Sequence, residues 1–127
     1  MVFDILENLE WYLSLYPSLQ KVISIMDRSL PYKDGPGVHQ CDGITYEVLS
    51  YPSGSDSSIR QAERTQLHCI LEGEELISLE ENEVPSVVLM ATEGRFVVLR
   101  KGEFYKTSMQ MANDKLVKKV IFTLDQP

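Results

Sequence analysis

The chain has 127 residues, which suits a single compact domain with one hydrophobic core. Apolar residues make up 43% and charged residues 24%, a composition that excludes a disordered or fibrous protein and is ordinary for a globular one. Twelve basic side chains against nineteen acidic ones give a formal net charge of −7, which would repel a phosphate backbone and so disfavours nucleic acid as a partner.

The N-terminal segment "MVFDILENLE" is acidic from its fourth residue onward. It has no basic stretch followed by a long apolar run, so we expect neither a signal peptide nor a membrane helix, and a cytoplasmic location. With no secretory context, Cys41 and Cys69 are expected to be reduced thiols.

Two short helices are predicted within residues 1–30. Asp4 followed by Glu7 has the spacing of a helix N-cap with a reciprocal carboxylate, which predicts a helix that begins near Ile5. Pro17 is expected to open a second helix. Apolar residues then recur at the three-and-four spacing of one buried helical face: Leu19, Val22, Ile23 and Met26.

A row of strands is predicted from residue 38 to residue 124. The segments are "ITYEVLSY", "RTQLHCIL", "LISL", "SVVLM", "RFVVL", "EFYKTSMQM" and "KLVKKVIFTL", separated by turn-forming residues. The segment "EGEE" is expected to be the turn of a hairpin. Seven or eight short strands without intervening helices predict a mainly β, single-domain protein built as an antiparallel barrel or sandwich, with residues 1–30 as a helical cap.

Charged residues within the predicted strands are interpreted as solvated. Six glutamates lie between Glu72 and Glu83, and without the ligand spacing of a calcium loop they are expected to line an exposed hairpin. Lys118 and Lys119 are likewise expected to be exposed residues of the last strand.

The histidine and cysteine residues are candidate metal ligands. In extended segments His39 and Cys41 share a face, whereas the adjacent His68 and Cys69 point to opposite faces, so the four cannot all converge on one zinc ion. Leu67, Cys69 and Leu71 would form an apolar face, which makes Cys69 a core residue. The opposite face, with Gln66 and His68, would meet either solvent or a polar cavity.

Three ordered segments resemble the YhcH/YjgK/YiaL family, which includes the small (beta) subunit of the evolved beta-galactosidase. They are "MVFDILENLEWY", "LHCILEGEELI" and "LVKKVIFTL", supported by "GVHQCDGITYEV". The resemblance implies two N-terminal helices leading into a cupin-like double-stranded β-helix, a jelly-roll barrel. It also implies an association with carbohydrate use, in which members act on small sugars as anomerases or isomerases through a metal in the barrel.

The ligand positions implied by the resemblance are mostly altered. His68 matches a family position that holds histidine or glutamine, but Gln66 stands where the family has aspartate and Gln61 where it has histidine. Asn113 stands where a family loop supplies another histidine. The resemblance therefore implies a site that hydrogen-bonds sugar hydroxyls, with His68 as the one retained metal ligand and no cofactor required. A shifted alignment would bring Glu63 or Arg64 in as substitutes.

Three functional hypotheses follow. The first is a carbohydrate-associated accessory or small-molecule-binding protein that binds a sugar through His68, Gln66, Gln61 and Asn113, with a large glycosidase subunit as partner. The second is an active sugar anomerase or isomerase that uses His68. The third is a non-catalytic homodimer in which "EFYKTSMQM" acts as an edge strand that extends a sheet.

Overall fold

The computed structural model describes residues 1–52, 58–82, 84–108 and 116–124, and these ranges contain ten strands, one 3-10 helix and two α-helices. The strands are β1 (Val2–Ile5), β2 (Gly37–Cys41), β3 (Ile44–Pro52), β4 (Arg60–Gln61), β5 (Gln66–Glu72), β6 (Glu74–Glu81), β7 (Val84–Thr92), β8 (Arg95–Leu99), β9 (Phe104–Ser108) and β10 (Leu116–Thr123). The helices are the 3-10 helix Leu6–Tyr12, α1 (Leu19–Asp27) and α2 (Leu30–Lys33).

The strands form two antiparallel sheets. The six-stranded sheet has the order β1-β8-β5-β10-β3-β2, and the four-stranded sheet has the order β4-β9-β6-β7. From β3 onward, the chain changes sheet at every connection between consecutive strands except that between β6 and β7. The protein is therefore mainly β, with two facing sheets and a few short helices, as the strand pattern predicts.

The turn at Gly73 joins the two sheets and does not close a hairpin. β5 pairs with β8 and β10, whereas β6 pairs with β7 and β9, so the hairpin predicted at "EGEE" is wrong. Gly73 has φ +81°, and a Cβ at this position would lie 2.5 Å from the carbonyl oxygen of Leu116. The chain can turn this closely over β10 only because residue 73 has no side chain.

The interior strands of the six-stranded sheet, such as β5, are buried on both faces. One face packs under the helices and forms a cluster with Leu19, Val22 and Ile25 of α1, to which β5 contributes the predicted apolar set: Leu67, Cys69 and Leu71. The other face meets the four-stranded sheet in a second cluster that includes Ile70, Ile77, Val97 and Tyr105. Alternate residues of β5 therefore belong to two different cores.

The first helix begins at Leu6, close to the predicted start near Ile5, but it is a 3-10 helix and Asp4 is not its N-cap. Residues 2–5 instead form β1, which pairs with β8 at the edge of the six-stranded sheet, and the 3-10 helix follows it. The Asp4 carboxylate accepts hydrogen bonds from the Ile5 N–H (2.7 Å), Asn8 Nδ2 (2.9 Å) and Tyr12 Oη (2.6 Å). These three bonds lower the pKa of Asp4 and tie the strand to the helix.

The strand β9, predicted to be an edge, lies inside its sheet. It pairs with β6 on one side and with β4 on the other, and residues 109–111 of the predicted segment lie outside the described ranges. Where the structure is described, no helix combines the length and apolarity needed to cross a membrane.

Candidate functional site

A cavity of about 220 Å³ opens between the two sheets. Its walls come from β3, β4, β9 and β10, and the lining residues are Leu49, Tyr51, Arg60, Tyr105, Thr107, Lys119 and Ile121. The volume is below the ~300–1,000 Å³ typical of pockets for drug-sized ligands. Two phenols, a hydroxyl and two cationic side chains face a space that suits a small polar molecule.

Lys119 is buried in the wall of this cavity, so the prediction that it is exposed is wrong. Its Nζ donates a hydrogen bond of 2.9 Å to Oε1 of Glu75, and Tyr51 Oη donates a short hydrogen bond to Oε2 of the same carboxylate. The side chains of Lys119 and Glu75 are 4% and 0% exposed. Because Lys119 lies on β10 and Glu75 on β6, the ion pair connects the two sheets.

Lys119, Glu75 and Tyr51 form a buried trio, and burial shifts the pKa values of Lys119 and Tyr51. Desolvation lowers the pKa of Lys119, and the nearby charge of Arg60 lowers it further, against the opposing effect of Glu75. Desolvation raises the pKa of Tyr51, and the Glu75 carboxylate adds to this effect. Tyr51 is therefore a phenol that donates to Glu75, and Lys119 loses its proton more readily than a lysine in water.

Two of the glutamates expected to line an exposed hairpin are buried. Glu75 belongs to the trio just described, and Glu80 is 5% exposed. Glu80 Oε1 lies 3.7 Å from Lys106 Nζ and accepts a hydrogen bond from Ser78 Oγ. The acidic segment is thus partly structural, because Glu75 has a cationic partner on the facing sheet and Glu80 has one on the adjacent strand β9.

His68 lies behind the cavity, next to its lining residue Ile121 on the adjacent strand. Its Nε2 lies 2.7 Å from Gln66 Nε2, which also donates to Tyr105 Oη at 3.3 Å, and its Nδ1 is buried without a hydrogen-bond partner. Desolvation holds the pKa of His68 well below its usual range, and the positive charges of Lys119 and Arg60 lower it further. His68 is therefore neutral at physiological pH, and Gln66 links it to the opposite sheet.

The structure brings together two of the four predicted sugar-binding residues. Gln66 and His68 face the space between the sheets, whereas Gln61 is exposed and its amide donates to the Gly102 carbonyl at 3.2 Å. Asn113 lies outside the described residues. The proposed substitutes Glu63 and Arg64 are both exposed.

The predicted zinc-type ligands are also separated. His39 Nε2 lies 2.8 Å from the carbonyl oxygen of Gly35, and the His39 ring stacks on Tyr46. Cys69 is buried in the core beneath the helices and Cys41 is half-buried, both as free thiols. Within the described residues, no three histidine, cysteine, aspartate or glutamate side chains come close enough to hold a metal ion.

The environment of His68 does not fit a divalent metal. Its described polar neighbours are an amide and a phenol, not the carboxylates and imidazoles that such ions require. The positive charges of Lys119 and Arg60, which lower the His68 pKa, would also repel a dication.

The sequence interpretation missed the residues that line the cavity. Tyr51, Arg60 and Tyr105 occupy ordinary strand positions, and no local pattern marks them as convergent. A signal for Lys119 was present, since adjacent residues of a strand point to opposite faces. In a strand that is apolar on both faces, one residue of the Lys118–Lys119 pair has to point inward.

No protein-family model matches the sequence, and no curated protein sequence matches it. Solved structures do match. Protein NMB1881 from Neisseria meningitidis is 12% identical with a TM-score of 0.56, over 72% of this chain and 84% of that one. A cupin superfamily protein from Desulfitobacterium hafniense is 16% identical with a TM-score of 0.53, over 69% of this chain and 72% of that one.

A third similar structure is hydroxypropylphosphonic acid epoxidase from S. wedmorenis. It is 12% identical with a TM-score of 0.55, over 63% of this chain, which spans 42% of the length of that enzyme. Identities this low carry no argument about activity, but they agree on architecture. The chain has a cupin-like β fold, with two antiparallel sheets around a cavity and a few short helices on the six-stranded sheet.

Proposed function

We propose that the protein binds a small polyhydroxylated molecule, of the size of a simple sugar, in the cavity between its two sheets. The observation that carries the proposal is the cavity wall, where Tyr51, Tyr105 and Thr107 add hydroxyl groups to the apolar surfaces of Leu49 and Ile121. A sugar has the same combination of hydroxyl groups and apolar C–H faces, and aromatic rings bind the latter.

The resemblance to the YhcH/YjgK/YiaL family supports a carbohydrate as the ligand. Binding without metal is consistent with the amide and phenol around His68. A large glycosidase subunit is the partner that the same resemblance supports, and co-purification of such a subunit with the tagged protein would test this part of the proposal.

The proposal can be tested by thermal unfolding in the presence of a panel of monosaccharides, sugar acids and polyols. A ligand at 100 times its Kd stabilises the folded state by ~2.7 kcal/mol, which is readily measured as a rise in Tm. The Tyr105→Phe variant should lose most of this rise, because it removes a hydroxyl from the cavity wall.

Tyr46→Phe is the matched control. Tyr46 lies on the opposite face of the six-stranded sheet, and its hydroxyl donates to Asp34 at 2.5 Å, away from the cavity. This variant should therefore keep the ligand-induced rise in Tm. An unchanged Tm with every member of the panel would contradict the proposal, as would equal losses in the two variants.

A further inference from the structure

We propose that Lys119 is a reactive amine that forms an imine with the carbonyl group of a small aldehyde or ketone bound in the cavity. The proposal rests on the proposed function, because it assigns a covalent step to the same site. The ligand class is a small hydroxylated carbonyl compound, such as a ketose or the open-chain form of an aldose.

The Lys119 side chain forms part of the cavity wall although it is almost entirely buried. Its backbone lies in the interior of the six-stranded sheet, opposite Leu49 on β3 and Ile70 on β5. The side chain is 4% exposed, yet it forms part of the cavity wall. A molecule in the cavity therefore meets a fixed Lys119 side chain, which reduces the entropy lost when a bond forms.

The surroundings make the Lys119 ammonium easier to deprotonate than that of a lysine in water, although its ion pair with Glu75 opposes this effect. Burial in a partly apolar wall and a second cation nearby are the two conditions that activate lysine nucleophiles, and both are present here. The wall includes Leu49 and Ile121, and Arg60 lines the same cavity. The lowered pKa of Lys119 agrees with this geometry.

Glu75 is placed to move the protons that imine formation requires. Its Oε1 accepts the hydrogen bond from Lys119 Nζ at 2.9 Å, and its Oε2 is held by Tyr51. With both oxygens fixed, the carboxylate can receive the proton of the ammonium without moving. Tyr51 keeps this carboxylate oriented towards the amine.

The step is balanced without any redox partner. Glu75 takes a proton from the Lys119 ammonium, the nitrogen lone pair forms a bond to the carbonyl carbon, and a proton passes from the nitrogen to the former carbonyl oxygen, which gives a carbinolamine. The Glu75 carboxyl group then gives its proton to the carbinolamine hydroxyl, which leaves as water as the nitrogen lone pair forms the C=N bond of a protonated imine. One ammonium and one carbonyl compound yield one protonated imine and one water molecule, and Glu75 ends as the carboxylate it was at the start.

Lys118 provides a matched control within the same strand. It points to the other face of the sheet, where its Nζ donates to the carbonyl oxygen of Tyr32 at 3.0 Å. It is more exposed than Lys119 and does not line the cavity. If exposure alone governed reactivity, Lys118 would react faster than Lys119.

The experiment treats the intact protein at neutral pH with dihydroxyacetone and sodium cyanoborohydride, which reduces an imine to a stable secondary amine. Peptide mass mapping then gives the rate of modification at each lysine. We expect Lys119 to react at least about tenfold faster than Lys118, since a carbonyl compound held in the cavity has a high effective concentration beside the Lys119 side chain. Equal rates at both lysines, or an unmodified Lys119, would overturn the proposal.

Two further measurements separate this proposal from the proposed function. Glycerol resembles dihydroxyacetone but has no carbonyl group, so it should leave Lys119 unmodified. The Lys119→Arg variant should lose the adduct at residue 119 and keep the modification of Lys118. If sugars raise the Tm but no adduct forms at Lys119, the proposed function stands and the imine is refuted; if neither is observed, both fail.

Discussion

Removing either partner of the Lys119–Glu75 pair should be among the most destabilising single changes in the protein. The two side chains are 4% and 0% exposed and their charged atoms lie 2.9 Å apart. Glu75→Gln would leave a buried ammonium without its counter-ion, and Lys119→Met would leave a buried carboxylate. Breaking such a buried pair costs ~3–5 kcal/mol, a large part of the ~5–15 kcal/mol that stabilises a typical domain.

The ion pair between Arg28 and Asp42 is the control that shows whether burial or the distance between the charges determines how much a pair contributes to stability. Its charged atoms are closer, at 2.6 Å, but its side chains are 47% and 53% exposed. If separation decided the contribution, Asp42→Asn would be the more costly change. Because exposed charges recover their hydration when a partner is lost, we expect Asp42→Asn to cost only ~0–1 kcal/mol.

Urea denaturation followed by circular dichroism gives the free energy of unfolding for each variant. The double variant Glu75→Gln/Lys119→Met removes both charges of the pair and leaves neither one buried alone, so it should be clearly more stable than the sum of the two single losses predicts. Single losses below ~1 kcal/mol, or losses that simply add, would refute the argument that burial determines the contribution of this pair.

The remaining predictions concern protonation, thiol reactivity and backbone strain. His68 takes up a proton near pH 6.5 in the unfolded chain, but burial lowers its pKa in the folded chain. The free energy of unfolding should therefore not depend on His68 above that pH, and below it should fall by up to ~1.4 kcal/mol per pH unit. Urea titrations should show this loss in the wild type and not in His68→Gln. Burial raises the pKa of Cys69 to about 12, so a thiol reagent should label only Cys41 in the native protein and both cysteines in denaturant. Gly73 and Gly94 have φ values of +81° and +80°, but a Cβ would meet a backbone carbonyl oxygen at 2.5 Å only at Gly73. Gly94→Ala should therefore cost ~1–2 kcal/mol from strain alone, and Gly73→Ala clearly more; equal losses in urea titrations would contradict this reasoning.

The strands could be predicted because their signals are local. The segment "RFVVL" coincides with β8 (Arg95–Leu99), and "ITYEVLSY" is extended by one residue in β3 (Ile44–Pro52). In both cases β-branched and aromatic residues are bounded by turn residues such as Asp42–Gly43 and Gly94. The apolar face of β5 beneath the helices could also be predicted, because apolar residues recur at every second position of this strand.

The assignment of strands to sheets could not be predicted in the same way. A glycine with positive φ between two strands serves a hairpin and a change of sheet equally well, so "EGEE" contains no signal that separates them. The close approach of Gly73 to β10 depends on residues 43 positions further along the chain, at Leu116.

The cavity depends on the same long-range information. Lys119 and Glu75 are 44 residues apart, and each belongs to a charged segment that is most simply solvated when it is considered alone. Burial of these charges is tolerated because each satisfies the other, and that pairing exists only after both sheets form. The N-terminal strand was missed for a related reason, because its pairing partner β8 lies in a distant part of the chain.

The six-stranded sheet also determines how this protein could be engineered. Its two faces belong to separate cores, so neighbouring residues of β5 have different surroundings: Cys69 packs under the helices and His68 faces the space between the sheets. A combinatorial library that varies every second residue on the cavity side would alter ligand selectivity while leaving the packing under the helices intact. A library that varies consecutive residues would disturb both at once, and most of its members would be lost to misfolding before their selectivity could be measured.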